Sequence, residues 1–371
     1  MKLKSRNKHI AHINGVIISM LVAIVLCMLL IFPKVSFEYM RSALKLCIHN
    51  LVPSLFPFMV ISDFLILSNA GRLLFKVLCF PIKLIFGLST DGAFAVLMGF
   101  VCGFPVGAKS ALQLYDQGRI SQEELRHIMG FCNIPSPAFV CGSVGVMFGN
   151  RTLGVVLFIS VLLSSALMGI TGRFIYKYEH CKCPEKKLRP DVINSFTRAV
   201  SSSASVMLTV CAYVTFFSVV IGYLNAILSH ANLSETAKIF ICGLLEISNG
   251  VSATIGTPPD IAPILASFFL GFSGISVMLQ ILSLDTDGHI NKKAFALQKS
   301  ACGILSAITT YMILKLFDIG MGTSTQTSAG KYFGEHGTLI CILFFACSIL
   351  PLIHAIRIFS SHNDRHIKKI D

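Results

Sequence analysis

Residues 99–149 read GFVCGFPVGAKSALQLYDQGRISQEELRHIMGFCNIPSPAFVCGSVGVMFG. Apolar sequence enters this stretch, breaks at Gly103-Phe104-Pro105 and carries a lone Lys109. After a short polar segment it turns apolar again and breaks at Asn133-Ile134-Pro135-Ser136-Pro137. A simple transmembrane helix does not accommodate two such breaks around a charged centre. Irregular backbone at membrane depth persists only where protein or a wet cavity satisfies its polar groups. Discontinuous helices of this kind line the binding sites of secondary transporters.

The composition surrounding the stretch sets the solvent. Of 371 residues, 54% are hydrophobic and 13% charged, and the mean hydropathy is +0.74. Soluble domains carry about 25% charged residues, so the bulk medium of this chain is lipid. The formal net charge of +13 does not point to nucleic acid, because the basic residues are scattered between membrane-length apolar runs and no recognition motif accompanies them. Loops and tails rich in Lys and Arg fit positive-inside anchoring instead. Most of the thirteen cysteines, Cys27, Cys47, Cys79, Cys102, Cys141, Cys211, Cys242 and Cys341 among them, lie in apolar segments, where a thiol behaves as a small hydrophobe. His180, Cys181 and Cys183 form the one tight cluster of potential zinc ligands and lack an obvious fourth; no metal is expected there.

Spans need about 17–25 apolar residues, and the chain divides accordingly. Residues 1–50 supply an uncleaved first span at 13–32 and an amphipathic interfacial helix carrying Lys34, Glu38, Arg41 and Lys45. Residues 51–176 hold a span at 51–69 containing Asp63, the broken region and a span at 153–176. A basic loop at 177–198 follows. Residues 199–317 repeat the plan with a span at 199–228, a second broken region at 237–284 and a span at 294–317. The last segment, 318–371, holds a final span and a basic tail. Counting each broken region as one crossing gives an all-α polytopic membrane protein with about eight crossing elements and both termini in the cytoplasm. The two broken regions then cross in opposite directions, the terms of an inverted-topology repeat of 51–176 against 199–317. Met129-Gly130-Phe131 and Leu270-Gly271-Phe272 fall at comparable points of the two halves.

Several residues in the broken regions stand out. Gly99, Gly103 and Gly107 recur at every fourth position, as do Cys141, Gly145 and Gly149, a spacing that lets helix backbones approach closely. An ammonium at membrane depth costs about 3 kcal/mol on insertion scales, so Lys109 needs a partner or a cavity and, beside a half-helix N-terminus, suits an anion. Ser121-Gln122-Glu123-Glu124 fits a capping box at a surface hairpin tip. Asn133, Pro135 and Ser136 line the end of the first break. In the second half Glu246, Asn249 and Gly250 sit inside apolar sequence, with Gln280 on the returning helix. Buried carboxylates serve as ion or proton sites, and Glu246 is a candidate partner for Lys109 across the repeat interface. Enzyme signatures are missing. Gly142-Ser143-Val144-Gly145 is not a nucleophile elbow, His362 and His366 lack the glutamate of a zinc protease, and no Walker loop occurs. We therefore expect no catalytic residues and no cofactor.

The first block, from Gly103 to Gly149, is similar to the signature of the YlbJ-type (SpoVV) sporulation integral membrane proteins, and GLLEISNG at 243–250 with GFSGISVMLQIL at 271–282 resembles that family's second motif. The likeness spans about residues 50–320. It implies a nucleoside-recognition or Gate domain, as in concentrative nucleoside transporters and ferrous iron permeases, and a secondary-transporter-like fold. It further implies a role in endospore formation, moving dipicolinic acid from the mother cell across the outer forespore membrane. Carried over by motif position, the residues of interest are Gly103, Pro105, Gly107, Lys109, Asn133, Pro135, Glu246, Asn249 and Gly250. A planar dianion suits a lysine, amide donors and positive half-helix ends. The expected partners are thus a small anionic metabolite and the lipid bilayer, with a second copy of the chain or sporulation membrane proteins as further candidates. A transporter of nucleosides or other small metabolites, and a non-transporting sporulation scaffold, are the alternative expectations.

Overall fold

Polar side chains at the turns decide where the helices begin. Ser89, Ser121, Asn150, Asp191, Ser234, Glu246 and Asn291 each accept a backbone N–H from the first turn of the helix that follows, satisfying donors that have no intrahelical partner. The computed structural model describes residues 16, 19–20, 22–68, 77–176, 191–229 and 233–317. The start of the first expected span, the loop carrying His180, Cys181 and Cys183, and the final span and tail lie outside those residues.

Helix α1 (Val22–Ile31) precedes α2 (Pro33–Leu46). A π-helical turn, Cys47–Leu51, joins α2 to α3 (Val52–Leu67) in one continuous segment of 35 residues. The sequence separates an interfacial helix at 33–50 from a span at 51–69; the structure does not, because the π turn takes up an extra residue without interrupting the hydrogen-bonded ladder. Such a segment is about 52 Å long, more than the hydrocarbon core, and Lys34, Glu38, Arg41 and Lys45 still share an exposed face. Next come α4 (Cys79–Phe86), α5 (Thr90–Cys102), α6 (Val106–Asp116), α7 (Gln122–Met129), a π-helical stretch at Ala138–Val144, and α8 (Arg151–Ile175). The second half comprises α9 (Val192–Leu228), α10 (Glu235–Leu245), α11 (Ile247–Thr254), α12 (Ala262–Phe272), α13 (Gly274–Leu284) and α14 (Lys292–Leu316). The described residues form helices and connecting turns, with no strand among them.

Among the described residues four helical segments are long and apolar enough to cross a membrane: Pro33–Leu67, α8, α9 and Ala262–Leu284. The pair α4 and α5, bent by 106°, makes a fifth if taken as one broken span. Helix α14 matches α8 in length at 25 residues but carries Lys292, Lys293, Lys299 and Lys315. Large apolar side chains such as Phe174, Leu208, Leu297 and Ile308 are exposed along these helices, which lipid tolerates and water does not. The chain is a multi-pass integral membrane protein, all-helical over the described residues.

Helix α9 packs on α2 and α3, α8 on α14, and α12 on α14. The breaks are held by close backbone approaches. A Cβ at Gly107 would lie 2.6 Å from the Cα of Gly99, and one at Gly250 would collide with the Cα of Gly243. Both broken regions therefore fold back across a glycine–glycine crossing. Gly103, with φ of +80°, turns the chain between α5 and α6 while its Cα lies against the Ser136 backbone. In the second half Gly274, with φ of +76°, lies against the backbone of Glu246 and Ile247. Each half thus lays one break across the other. The capping box forms by half: Ser121 accepts the Glu124 N–H at 3.2 Å, but the Glu124 carboxylate accepts the Ser89 N–H at 2.6 Å. Glu124 and His127 are buried rather than at a surface tip, because α7 packs between α5, α6 and α8.

Candidate functional site

Both breaks of the first half meet the second half's break at Glu246 around a cavity of about 40 Å³. Its wall takes Phe104 and Pro135, Ser136 and Phe139 from the first half, and Glu246, Ile247, Ser248, Val277 and Gln280 from the second. Leu51, Ser54 and Leu55 of the α3 region and Val210 and Val214 of α9 complete it. Both π-helical stretches reach the wall, one through Leu51 and the other through Phe139. Such π segments often occur at functional sites because they aim side chains off the regular helical face.

Glu246 dominates the polar part. It is fully buried at 1% exposure, and its Oε2 accepts the Asn249 backbone N–H at 2.8 Å and the Asn249 side-chain amide at 3.0 Å. The carboxylate therefore caps α11 from inside the protein, where the helix dipole favours negative charge. Asn249 also donates to the Ser218 Oγ of α9 at 3.1 Å. Gln280, buried on α13, donates to Ser276 Oγ at 3.3 Å. Ser136 Oγ accepts the Phe139 N–H at 3.2 Å, and the Phe104 N–H donates to the Ile134 carbonyl at 2.9 Å, sewing the first break to the second. Glu246, Gln280, Pro135 and Ser136, named from sequence, are thus brought together.

Lys109 is not among them. Its ammonium forms a buried ion pair with Asp63 of α3, and Ser203 of α9 donates to the same Asp63 oxygen at 3.0 Å. Ser62 and Ser110 bond beside the pair at 2.9 Å. The expected pairing of Lys109 with Glu246 is corrected here, and the helices give the reason. Leu55 and Val210 line the cavity, but Asp63 lies eight residues beyond Leu55 on α3, about 12 Å along the axis, and Ser203 lies seven residues before Val210 on α9. Lys109 sits two turns away, already neutralised. Gly103, Gly107 and Gly250 serve the crossings described above, and Pro105 opens α6 at its N-cap position. Asn133 turns inward and is fully buried. Its amide donates to the Met129 carbonyl at 3.0 Å, while its Oδ1 finds no partner among the described residues.

The sequence reading missed a second buried lysine. Lys299 of α14 is 2% exposed and donates to the Asn133 backbone carbonyl at 2.6 Å. The rule that singled out Lys109, an ammonium inside an apolar helix, applies equally to Lys299. It was hidden by the neighbouring Lys292 and Lys293, which give that helix the look of a loop-proximal basic end.

Over 348 residues the chain is 26% identical to the sporulation integral membrane protein YlbJ of Bacillus subtilis (strain 168), covering 83% of this chain and 84% of the relative. No protein-family model and no solved structure matches the chain.

Proposed function

We propose, from a similarity that supports assigning this chain to the YlbJ-type sporulation integral membrane proteins, that it is a secondary-transporter-like protein of endospore formation. Its cargo on this reading is a small anion, dipicolinic acid being the one the resemblance implies. It moves that cargo across the outer forespore membrane into the intermembrane space, with both termini on the mother-cell side. The observation that carries the reading is the buried cavity where the broken segments of both halves meet, with Glu246 and Gln280 facing Pro135 and Ser136. Transporters place their sites at such a junction of discontinuous helices.

An inverted repeat of 51–176 against 199–317 is part of the proposal. It is supported by the order of the elements, a helical segment of 35 or 37 residues, then broken helices, then a helix of 25 residues in each half. The matched glycine crossings at Gly99 and Gly107 and at Gly243 and Gly250 support it too. A cavity of about 40 Å³ admits a few water molecules at most, so cargo entry requires the breaks to part. A dianion approaching Glu246 meets a like charge; in this mechanism Glu246 takes up a proton as the cargo enters.

Purified protein in vesicles is expected to take up labelled dipicolinate, with an uptake rate that depends on pH in the wild type and not in Glu246→Gln. Uptake suppressed by nucleosides and absent for dipicolinate would move the assignment to a nucleoside transporter. No uptake of either, with sporulation intact in Glu246→Gln cells, would favour the scaffold.

A further inference from the structure

An anionic cargo calls for a cation near its site, and only two lysines among the described residues are buried, Lys109 and Lys299. Lys109 is committed to Asp63 and Ser203, two helical turns from the cavity. Among the described residues Lys299 has no carboxylate partner: its ammonium, with three donors, has one hydrogen bond there, to the Asn133 carbonyl at 2.6 Å. The residues around it are as unsuited to balancing a charge. Cys132 and Cys302 lie beside it and are themselves buried, and the Asn133 Oδ1 next to it lacks a partner. Leaving an ammonium buried with a single neutral acceptor is costly, and an isolated buried charge of this kind marks a functional position more often than a structural one.

Its place in the chain path is equally telling. Lys299 belongs to the second half and grips the first half at residue 133. The next carbonyl, Ile134, is held by Phe104, and the two residues after that, Pro135 and Ser136, form the cavity wall. Lys299 therefore stands directly behind the wall that must move for the cavity to open, with donors to spare.

Resting on the anion-transport reading above, we infer that Lys299 is the cation that binds the anionic cargo, and that the Asn133 carbonyl occupies it while the cavity is closed. Opening of the break at residues 133–137 exchanges a neutral carbonyl for a carboxylate, so that both donor and acceptor of the hydrogen bond are charged. The cargo's own charge then compensates the ammonium that the closed protein leaves bare. Asn133, with its free Oδ1, lies beside the position the carboxylate takes.

The test compares Lys299→Met and Lys299→Arg with wild type for dipicolinate uptake into vesicles and for thermal unfolding in the same detergent. The expected result is at least a tenfold loss of uptake in Lys299→Met, partial retention in Lys299→Arg, and an unfolding temperature in Lys299→Met that is unchanged or higher, since an uncompensated buried charge has been removed. A lysine that merely ties α14 to the first break would instead lower the unfolding temperature when replaced, and that outcome overturns the inference. Uptake by Lys299→Met equal to wild type overturns it as well, leaving the function standing. Wild-type vesicles that admit nucleosides but no carboxylate overturn the function and this inference together. Should Lys299→Met fail to accumulate, Lys299→Gln, which keeps a donor for the Asn133 carbonyl, replaces it under the same criteria.

Discussion

The first broken region and the second are built alike at their crossings and unlike in their charges. Gly107 lies on Gly99 and Gly250 on Gly243, backbone against backbone with no room for a methyl group. The first region's charge is closed on itself, Lys109 with Asp63, supported by Ser203. The two buried charges of the second half have no charged partner among the described residues: Glu246 faces the cavity and Lys299 rests on a carbonyl of the other half. Identical side chains at similar burial thus have opposite energetics. The buried pair neutralises its own charge, although Asp63 Oδ1 has no partner among the described residues, whereas Lys299 has no counter-charge among them, and stranding a buried charge is costly.

The sharpest way to break that contrast is to open the closed pair. Asp63→Asn leaves the Lys109 ammonium buried without a counter-charge, and we expect a loss of about 3–5 kcal/mol, read as a large fall in unfolding temperature and in membrane abundance. Lys109→Met is expected to be harmful for the same reason, since it strands Asp63. The double variant Asp63→Asn/Lys109→Met should recover most of the loss, a coupling that a double-mutant cycle measures. Non-additivity below 0.5 kcal/mol would mean that the pair is not the unit described here, and Lys109 would return as a candidate for the site.

A second comparison tests the likeness of the crossings. Gly107→Ala and Gly250→Ala each place a Cβ onto the backbone of a facing glycine, where no side-chain rotation relieves it. Overpacking of this kind costs about 1–3 kcal/mol, and matched crossings predict similar losses in the two halves. A loss confined to Gly107→Ala, seen in detergent melting curves, would separate the halves and count against the repeat. The smallest effect is expected at Ser273, which joins α12 to α13 with φ of +72° and a buried hydroxyl that has no partner among the described residues. Ser273→Gly relieves the left-handed backbone and is expected to raise stability by about 1 kcal/mol. A decrease would show that the hydroxyl is used in the resting protein.

Parts of this arrangement were legible in the residues. Gly103-Phe104-Pro105 and Asn133 through Pro137 announce their breaks because proline and a left-handed glycine end helices wherever they fall. Asn150, Asp191 and Asn291 start the long helices for an equally local reason, one that a reading of apolar runs alone passes over. Glu246 declared itself as a carboxylate in apolar sequence, but its neighbours did not: the sequence offered Lys109 as its partner, and packing set it beside Pro135, Ser136 and Gln280. The continuity of α2 with α3 was not legible, since a π turn at Cys47–Leu51 has no sequence signature as plain as a proline. Nor was the burial of Glu124, whose polar surroundings in sequence are replaced in space by α5 and α8.

What the sequence determined by itself is therefore what depends on near neighbours along the chain: a lipid-embedded helical protein, its breaks at 103–105 and 133–137, and ionisable side chains such as Lys109 and Glu246 that are out of place in apolar runs. The tertiary structure alone decided how those charges are shared. Asp63 and Lys109 are 46 positions apart and Asn133 and Lys299 are 166 apart, so their meeting depends on how α3, α6, α9 and α14 pack. Coulomb energy in a medium of low polarity falls with distance in space, not with separation along the chain. Packing gave Lys109 a counter-charge in Asp63 and gave Lys299 only the Asn133 carbonyl among the described residues.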